Sequence, residues 1–319
     1  MESVINTHQL NQLIEYIKKT YTVYGTQQKN GKLIFDILEN SSDLKLGHKK
    51  PIIPFRKILF SNLLNLKQTS PEPKIALVGL NNCDVWSLHY LLEEFGEIRA
   101  LPKREDLLIM SSECFPDESC FCDLIGTNKT APFDLHIQEE KNSYAIFSES
   151  LTGKKILEKN GIKQSSKKLE INPIKPDSKP IMQKTLSDLI DNKEKFKDYW
   201  QKISDNCFGC GACSMVCPLC FCTRQNFKNE LTGESKQCLN WDSCFAKRFS
   251  EIQNHYDFRP ENVDRLYNWY HHKFVRSYHE SKRFLCTGCG RCIEACPANL
   301  NTKNIIQSII KQSENNERQ

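Results

Sequence analysis

Sixteen cysteines occur in this 319-residue chain, and two copies of one cysteine pattern dominate it. The first is Cys207-x-x-Cys210-x-x-Cys213-x-x-x-Cys217-Pro218, the second Cys286-x-x-Cys289-x-x-Cys292-x-x-x-Cys296-Pro297. Three thiolates at i, i+3 and i+6 reach three irons of one [4Fe-4S] cubane from a single tight loop. The fourth, followed by proline, ligates the neighbouring cluster in two-cluster ferredoxins. Gly209, Gly211, Gly288 and Gly290 lie inside the loops, where a side chain would crowd the inorganic core and block positive φ. One such run is also compatible with zinc. Two complete runs, both ending in Cys-Pro, point to two [4Fe-4S] clusters and to one-electron chemistry.

Four further cysteines, Cys83, Cys114, Cys120 and Cys122, precede the two runs. Cys120-x-Cys122 places two sulfurs on one side of an extended segment, and Cys83 sits at a turn after an apolar run. A third iron-sulfur cluster, a tetrahedral zinc and plain core packing each fit this set. Cys220, Cys222, Cys238 and Cys244 follow the first run closely, and packing around the neighbouring cluster is the expected role for them. Trp241 and Phe221 would then shield that cluster from water. His271, His272 and His279 lie near Lys273 and Arg276, but each cubane already has four cysteines. Solvent contact or an N–H bond to sulfur is therefore the expected role of these histidines.

The elements that must position these ligands divide the chain. Residues 1–155 read as an α/β domain: a helix over Thr7–Lys19 capped by Thr7, and a buried strand Lys74–Leu80 leading into the Asn81–Asp84 turn. A helix Val85–Phe95 ends at Gly96, and strands follow at Asp106–Met110, Asp134–Gln138 and Tyr144–Ser148. Residues 156–184, rich in Lys, Ser, Pro and Asn, read as a linker. Residues 185–310 read as an α-helical ferredoxin-type domain, with a helix from Thr185 through Trp200 and another over Asp264–Tyr278. Residues 311–319 read as a disordered tail. The expected class is α+β.

Composition narrows the functional classes. Clustering at metal-ligand spacing in a long chain argues against a disulfide scaffold. The amino terminus has no basic segment followed by an apolar one, and no run reaches the roughly 18 apolar residues that span a bilayer. A reducing cytoplasm is the expected location, with no membrane association. The formal charge of +5 is partly concentrated in Lys154–Lys184, a solvated stretch rather than a basic stripe, so nucleic-acid binding is not expected. No Gly-x-Gly-x-x-Gly, Walker loop or Ser-His-Asp set is present. The chain is thus expected to bind no nucleotide itself.

Several short signatures occur in order: GLNNCD (Gly79–Asp84), CFC at Cys120–Cys122 and Cys220–Cys222, WDSC (Trp241–Cys244), FRP (Phe258–Pro260), HKF (His272–Phe274) and CTGCGRCIEACP (Cys286–Pro297). Together they resemble the iron-sulfur beta subunits of cytosolic nickel-iron sulfhydrogenases, with the A subunit of anaerobic sulfite reductase as a relative of the same group. The resemblance covers about Lys74 to Ala298. It implies a non-catalytic relay, binding no flavin itself, between a flavin and NAD(P)-binding reductase subunit and an iron-sulfur small subunit with a nickel-iron large subunit, or a sirohaem sulfite reductase subunit. It implies that Cys207, Cys210, Cys213 and Cys296 hold one cubane, and Cys286, Cys289, Cys292 and Cys217 the other. The long insertion between the runs leaves each fourth cysteine free to serve its own run instead. The resemblance also favours a cluster for Cys83, Cys114, Cys120 and Cys122.

Overall fold

The computed structural model describes residues 1–47, 49–56, 74–95, 101–166, 168–174, 179–229 and 235–316. It shows a mixed α/β chain of two compact units, Met1–Asp117 with Thr127–Lys175, and Glu118–Gly126 with Pro176–Gln319.

The first unit is built on a seven-stranded sheet in the order β1-β7-β6-β5-β4-β2-β3. The strands are β1 (Glu2–Ile5), β2 (Thr22–Lys29), β3 (Lys32–Ile37), β4 (Ile75–Leu80), β5 (Leu107–Ser112), β6 (Leu135–Glu140) and β7 (Ser143–Ser148). β2, β4, β5 and β6 run parallel, with antiparallel β3 beyond β2 and β7 then β1 beyond β6. Every residue of β4 and β5 is buried. That burial is the mark of central parallel strands covered on both faces.

Helix α1 (Thr7–Lys18) begins one residue earlier than the sequence suggested. Asn6, not Thr7, is the cap, and it exchanges bonds with Gln9 in a capping box. Its buried stripe of Leu10, Leu13, Ile14 and Ile17 packs with Ala76, Val78, Leu108, Met110, Leu135, Ile137 and Ile146. These sheet residues recur at every second position, so a single face of the sheet supplies them. Ile156 and Leu157 of α3 (Leu151–Lys159) join the same core, while α2 (Asn82–Phe95) leads from β4 towards β5. The end of α2 predicted at Gly96 lies outside the described residues.

Beyond α1 no element was expected in the first seventy residues, yet they supply three strands. Asn30 and Gly31 at φ 51° and 73° form the tight β2–β3 connection, an Asn-Gly hairpin turn. The stretch read as a linker is partly tied to this unit. Ser165 donates its N–H to Glu2 O at 2.7 Å, and Asn172 donates to Gln138 Oε1 at 2.8 Å and to Glu113 Oε1 at 2.7 Å.

His136 on β6 is 6 % exposed, its Nδ1 is 2.8 Å from Ser111 Oγ, and its Nε2 has no partner. Burial lowers its pKa to about 4. The unfolded imidazole binds its proton near 6.5, so this unit is fully stable above that pH. It loses stability as pH falls towards about 4, by about 3 kcal/mol. Protection of β5 and β6 amides in hydrogen exchange should weaken over that interval. His136→Gln should flatten the slope; an equal slope in that variant would assign the titration elsewhere.

The second unit is largely helical: α4 (Gln183–Asp191), α5 (Lys197–Asp205), α6 (Asn262–His271) and α7 (Thr302–Asn316). The single helix expected from Thr185 to Trp200 is broken at Asn192, whose φ and ψ of −77° and 69° are not helical. Trp200 is fully buried, with ring centroids 5.2 Å from Tyr270 and 5.5 Å from Tyr267. A hairpin of β8 (Thr223–Asn229) and β9 (Ser235–Trp241) adds strands to a half that reads from sequence as mainly helical. α7 is helical through Asn316, into the stretch read as a tail. Residues 317–319 lie outside the described residues. Among the described residues no helix is long and apolar enough to cross a membrane.

Candidate metal centre

Both cysteine runs lie in the second unit and repeat one backbone. Gly209 and Gly288 have φ of 62° and 63°, while Gly211 and Gly290 both have φ of 74°. Each second glycine opens a single helical turn, Ala212–Met215 in one run and Arg291–Glu294 in the other. Main-chain N–H groups point at sulfur in both runs, at the same place for the first cysteine and at different places for the last. Gly209 donates to Cys207 Sγ and Gly288 to Cys286 Sγ, both at 3.4 Å; Leu219 donates to Cys217 Sγ at 3.4 Å and Leu300 to Cys296 Sγ at 3.3 Å. Donors aimed at sulfur stabilise a charged ligand, which is what a cluster thiolate requires.

The glycines have a further reason beyond the one read from sequence, because their close approaches are to protein. A Cβ on Gly211 would lie 2.3 Å from Ser243 Oγ, and one on Gly290 would lie 2.3 Å from Ser119 O. Each loop therefore leans on a buttress. Ser243, in the WDSC signature, bonds Ser214 Oγ at 2.7 Å and accepts the Phe245 N–H. For the second loop the buttress is Glu118–Gly126: Phe121 N–H donates to Gly288 O at 2.8 Å, and Ser119 Oγ to Glu294 at 2.8 Å.

Two cavities open between these elements. One, of about 480 Å³, is lined by Cys207, Cys210 and Cys213 together with Cys296. The other, of about 310 Å³, is lined by Cys286, Cys289 and Cys292 together with Cys217. Cys292 also reaches the first cavity, and Trp269 lines both. Trp269 Nε1 is buried without a hydrogen-bond partner. An orphaned donor on the wall of two thiol-lined cavities suits a group that carries sulfide acceptors. The residues therefore fit two iron-sulfur clusters. Burial pushes the Cys213 thiol well up, and burial followed by the Cys289 charge pushes Cys292 to about 12. Metal uptake must displace these protons, so loading is favoured by higher pH.

The remaining cysteines divide between the units. Cys83 and Cys114 belong to the first, where they follow β4 and β5, neighbouring parallel strands. Asn81 Nδ2 is 3.9 Å from Cys114 Sγ, and burial raises that thiol's pKa. Asn82, in GLNNCD, holds the segment after Gly126 through Thr127 O, Lys129 O and the Ala131 N–H. Cys120 and Cys122 belong to the second unit, where Cys120 Sγ lies 3.8 Å from Cys289 O. Among the described residues no three His, Cys, Asp or Glu side chains are gathered to hold a single metal ion. Cys220 and Cys244 are buried; Cys220 bonds the Cys217 thiol, and Cys244 that of Cys222. Cys238 lies on β9, with its side chain outside the described residues.

His271 Nε2 lies 3.2 Å from Asp191 Oδ1, and the His279 ring packs edge-on near Tyr278. His272 is held near pKa 4, first by burial and then by Lys273 and Arg276. The residue that sequence reasoning passed over is Lys273. The expected helix Asp264–Tyr278 is continuous but widens into a π-turn at His272–Arg276, and Lys273 on that turn is 2 % exposed. Its Nζ is 3.1 Å from Cys217 Sγ. Burial opposes its charge, but Cys217, Cys220 and Cys286 outweigh burial and hold its pKa well above the lysine range.

Paired thiol-lined cradles of this kind suit iron-sulfur chemistry, and a family model described as a 4Fe-4S dicluster domain matches residues 206–300. Over 316 residues the chain is 25% identical to "Sulfhydrogenase 2 subunit beta" of Pyrococcus furiosus, which covers 92% of this chain and 93% of that one. The two findings together support the beta-subunit iron-sulfur family. No solved structure matches the chain.

Proposed function

We propose that this chain is an electron-transfer subunit, relaying electrons between a flavin and NAD(P)-binding partner and a nickel-iron hydrogenase module. The observation that carries the reading is the lining of the two cavities: each meets the first three thiols of one run and the last thiol of the other, with Cys292 reaching both, which supports an exchange of fourth ligands. That exchange interlocks the two sites, with Trp269 on the wall of each. When bound, the clusters supply one-electron carriers, whose potentials across proteins span about −700 to +450 mV. The chain's own residues hold them by thiolates, donate N–H groups to sulfur and exclude water with Trp269, Tyr270 and Phe121.

Cys210 is exposed and the adjoining Phe208 is 71 % exposed, whereas Cys217 and Cys289 are buried. An electron carrier needs one edge accessible to a partner and the remainder shielded, and this asymmetry meets that need. The relative's name, a sulfhydrogenase beta subunit, favours a hydrogenase partner.

The test is Cys289→Ala in the intact complex, purified without oxygen. Iron should fall by about four atoms per chain, one cubane's content. NAD(P)H-linked turnover should fall at least about tenfold, equivalent to about 1.4 kcal/mol of barrier. Turnover of the catalytic partner with an artificial donor should persist. Undiminished NAD(P)H-linked turnover in a chain lacking that iron would remove the relay role. Co-purification of a sirohaem subunit in place of a nickel-iron one would move the same relay to sulfite reduction.

A further inference from the structure

The two cradles repeat one backbone but differ in the charge beside their exchanged cysteine. Cys296 Sγ accepts a main-chain N–H from Leu300 at 3.3 Å. Cys217 Sγ accepts a main-chain N–H from Leu219 and also the Lys273 ammonium at 3.1 Å. Lys273 lines the second cavity, while among the described residues no charged side chain lines the first.

Lys273 is held there by more than its partner sulfur. Its Nζ donates to Leu285 O at 3.1 Å, and Leu285 N–H donates back to Lys273 O at 2.9 Å. Leu285 directly precedes Cys286, so this clasp fixes the cation to the start of the second loop. The Trp269 ring lies 5.1 Å beneath the ammonium and stabilises it further. The π-turn His272–Arg276 is the local irregularity on which Lys273 sits, and such turns recur at functional sites. Reduction adds one negative charge to a cluster. A positive charge in a dry site at hydrogen-bond distance from a ligand sulfur stabilises that reduced form far more than it would in water.

We propose that Lys273 is a fixed counter-charge that raises the reduction potential of the cluster held by Cys286, Cys289, Cys292 and Cys217 above that of its neighbour. An electron arriving on the pair then resides on this inner cluster. The inference rests on the electron-transfer reading and adds to it an order of potentials.

The test is an anaerobic redox titration of the full cluster-loaded chain, followed by electron paramagnetic resonance. Cys210→Ala and Cys289→Ala assign the two signals. At the ambient potential that half-reduces the inner cluster in the native chain, Lys273→Gln and Lys273→Met should lower its reduced-to-oxidised ratio at least about tenfold, or about 59 mV for one electron. The outer cluster should move much less, and Lys273→Arg should keep the inner ratio within about threefold of native, a little under half of that free-energy change. Gln retains a donor without the charge, so it separates electrostatics from the clasp on Leu285. An unchanged inner ratio in iron-replete Gln and Met variants overturns the proposal, as does an equal shift of both clusters. If the inner cluster loads in the Arg variant and in neither neutral one, a positive charge is required and the proposal stands. Failure of all three to load it marks a packing role and overturns the proposal. A native chain without iron would instead defeat the electron-transfer reading itself.

Discussion

Cys296→Ala is expected to abolish the cluster bound by Cys207, Cys210 and Cys213, and to spare the one bound by its own run. Cys217→Ala is expected to do the reverse. Each sulfur belongs in sequence to one loop but lines the cavity of the other. Pro218 and Pro297 follow these cysteines and cannot donate a main-chain N–H. The donors to the two sulfurs come instead from Leu219 and Leu300, beyond the prolines. The four variants should fall into two pairs by spectrum: Cys296→Ala with Cys210→Ala, and Cys217→Ala with Cys289→Ala. Each should lose about four iron atoms per chain and their labile sulfide. A Cys296→Ala protein whose spectrum matches Cys289→Ala would mean that each run completes its own cluster. The pairing matters because exchanged ligands bind the two sites into one object. Loss of one thiol then weakens the frame of both, and the surviving cluster should be released faster by a chelator than in the native chain.

The ligands were legible because cluster chemistry is local: three sulfurs at fixed spacing and the glycines between them are written within ten residues. The buttresses were not legible. Ser119 meets Glu294 across 175 residues and Cys120 meets the Cys289 carbonyl across 169, and no periodic pattern announces such partners. The CFC segment reads from sequence as part of the amino-terminal domain, with a third cluster, zinc and core packing all open for its cysteines. Glu118–Gly126 instead groups with the second unit, where its backbone meets the second loop. Lys273 was hidden for a related reason. A lysine at helical spacing reads as solvated, and only tertiary packing turns it inward against Cys217. The hairpin β2–β3 has a local signal, Asn30-Gly31 between short runs. The parallel strands β4 and β5 were legible from their continuous apolar runs, and their boundaries moved by only one or two residues.

Gly290→Ala is expected to cost about 3–5 kcal/mol and to prevent loading of the inner cluster, whereas Gly31→Ala should cost only about 1–2 kcal/mol and leave iron unchanged. The two positions form a matched pair, with φ of 74° and 73°. The price of placing an alanine in a left-handed conformation is therefore common to both. They differ in what the new methyl would meet. Around Gly31 nothing lies within 4 Å, while at Gly290 the Cβ would lie 2.3 Å from Ser119 O and 2.5 Å from Ser119 C. Those are backbone atoms of a segment held by the Phe121 to Gly288 bond and by Ser119 on Glu294, so neither side can swing away. Relief requires the second loop to separate from Glu118–Gly126, which drags Cys289 and Cys292 out of register with Cys217. Iron content and the denaturant midpoint, measured side by side on both variants, read the two effects separately. Equal midpoints with full iron in both would show that the loop needs glycine for its φ alone and that the Ser119 buttress yields.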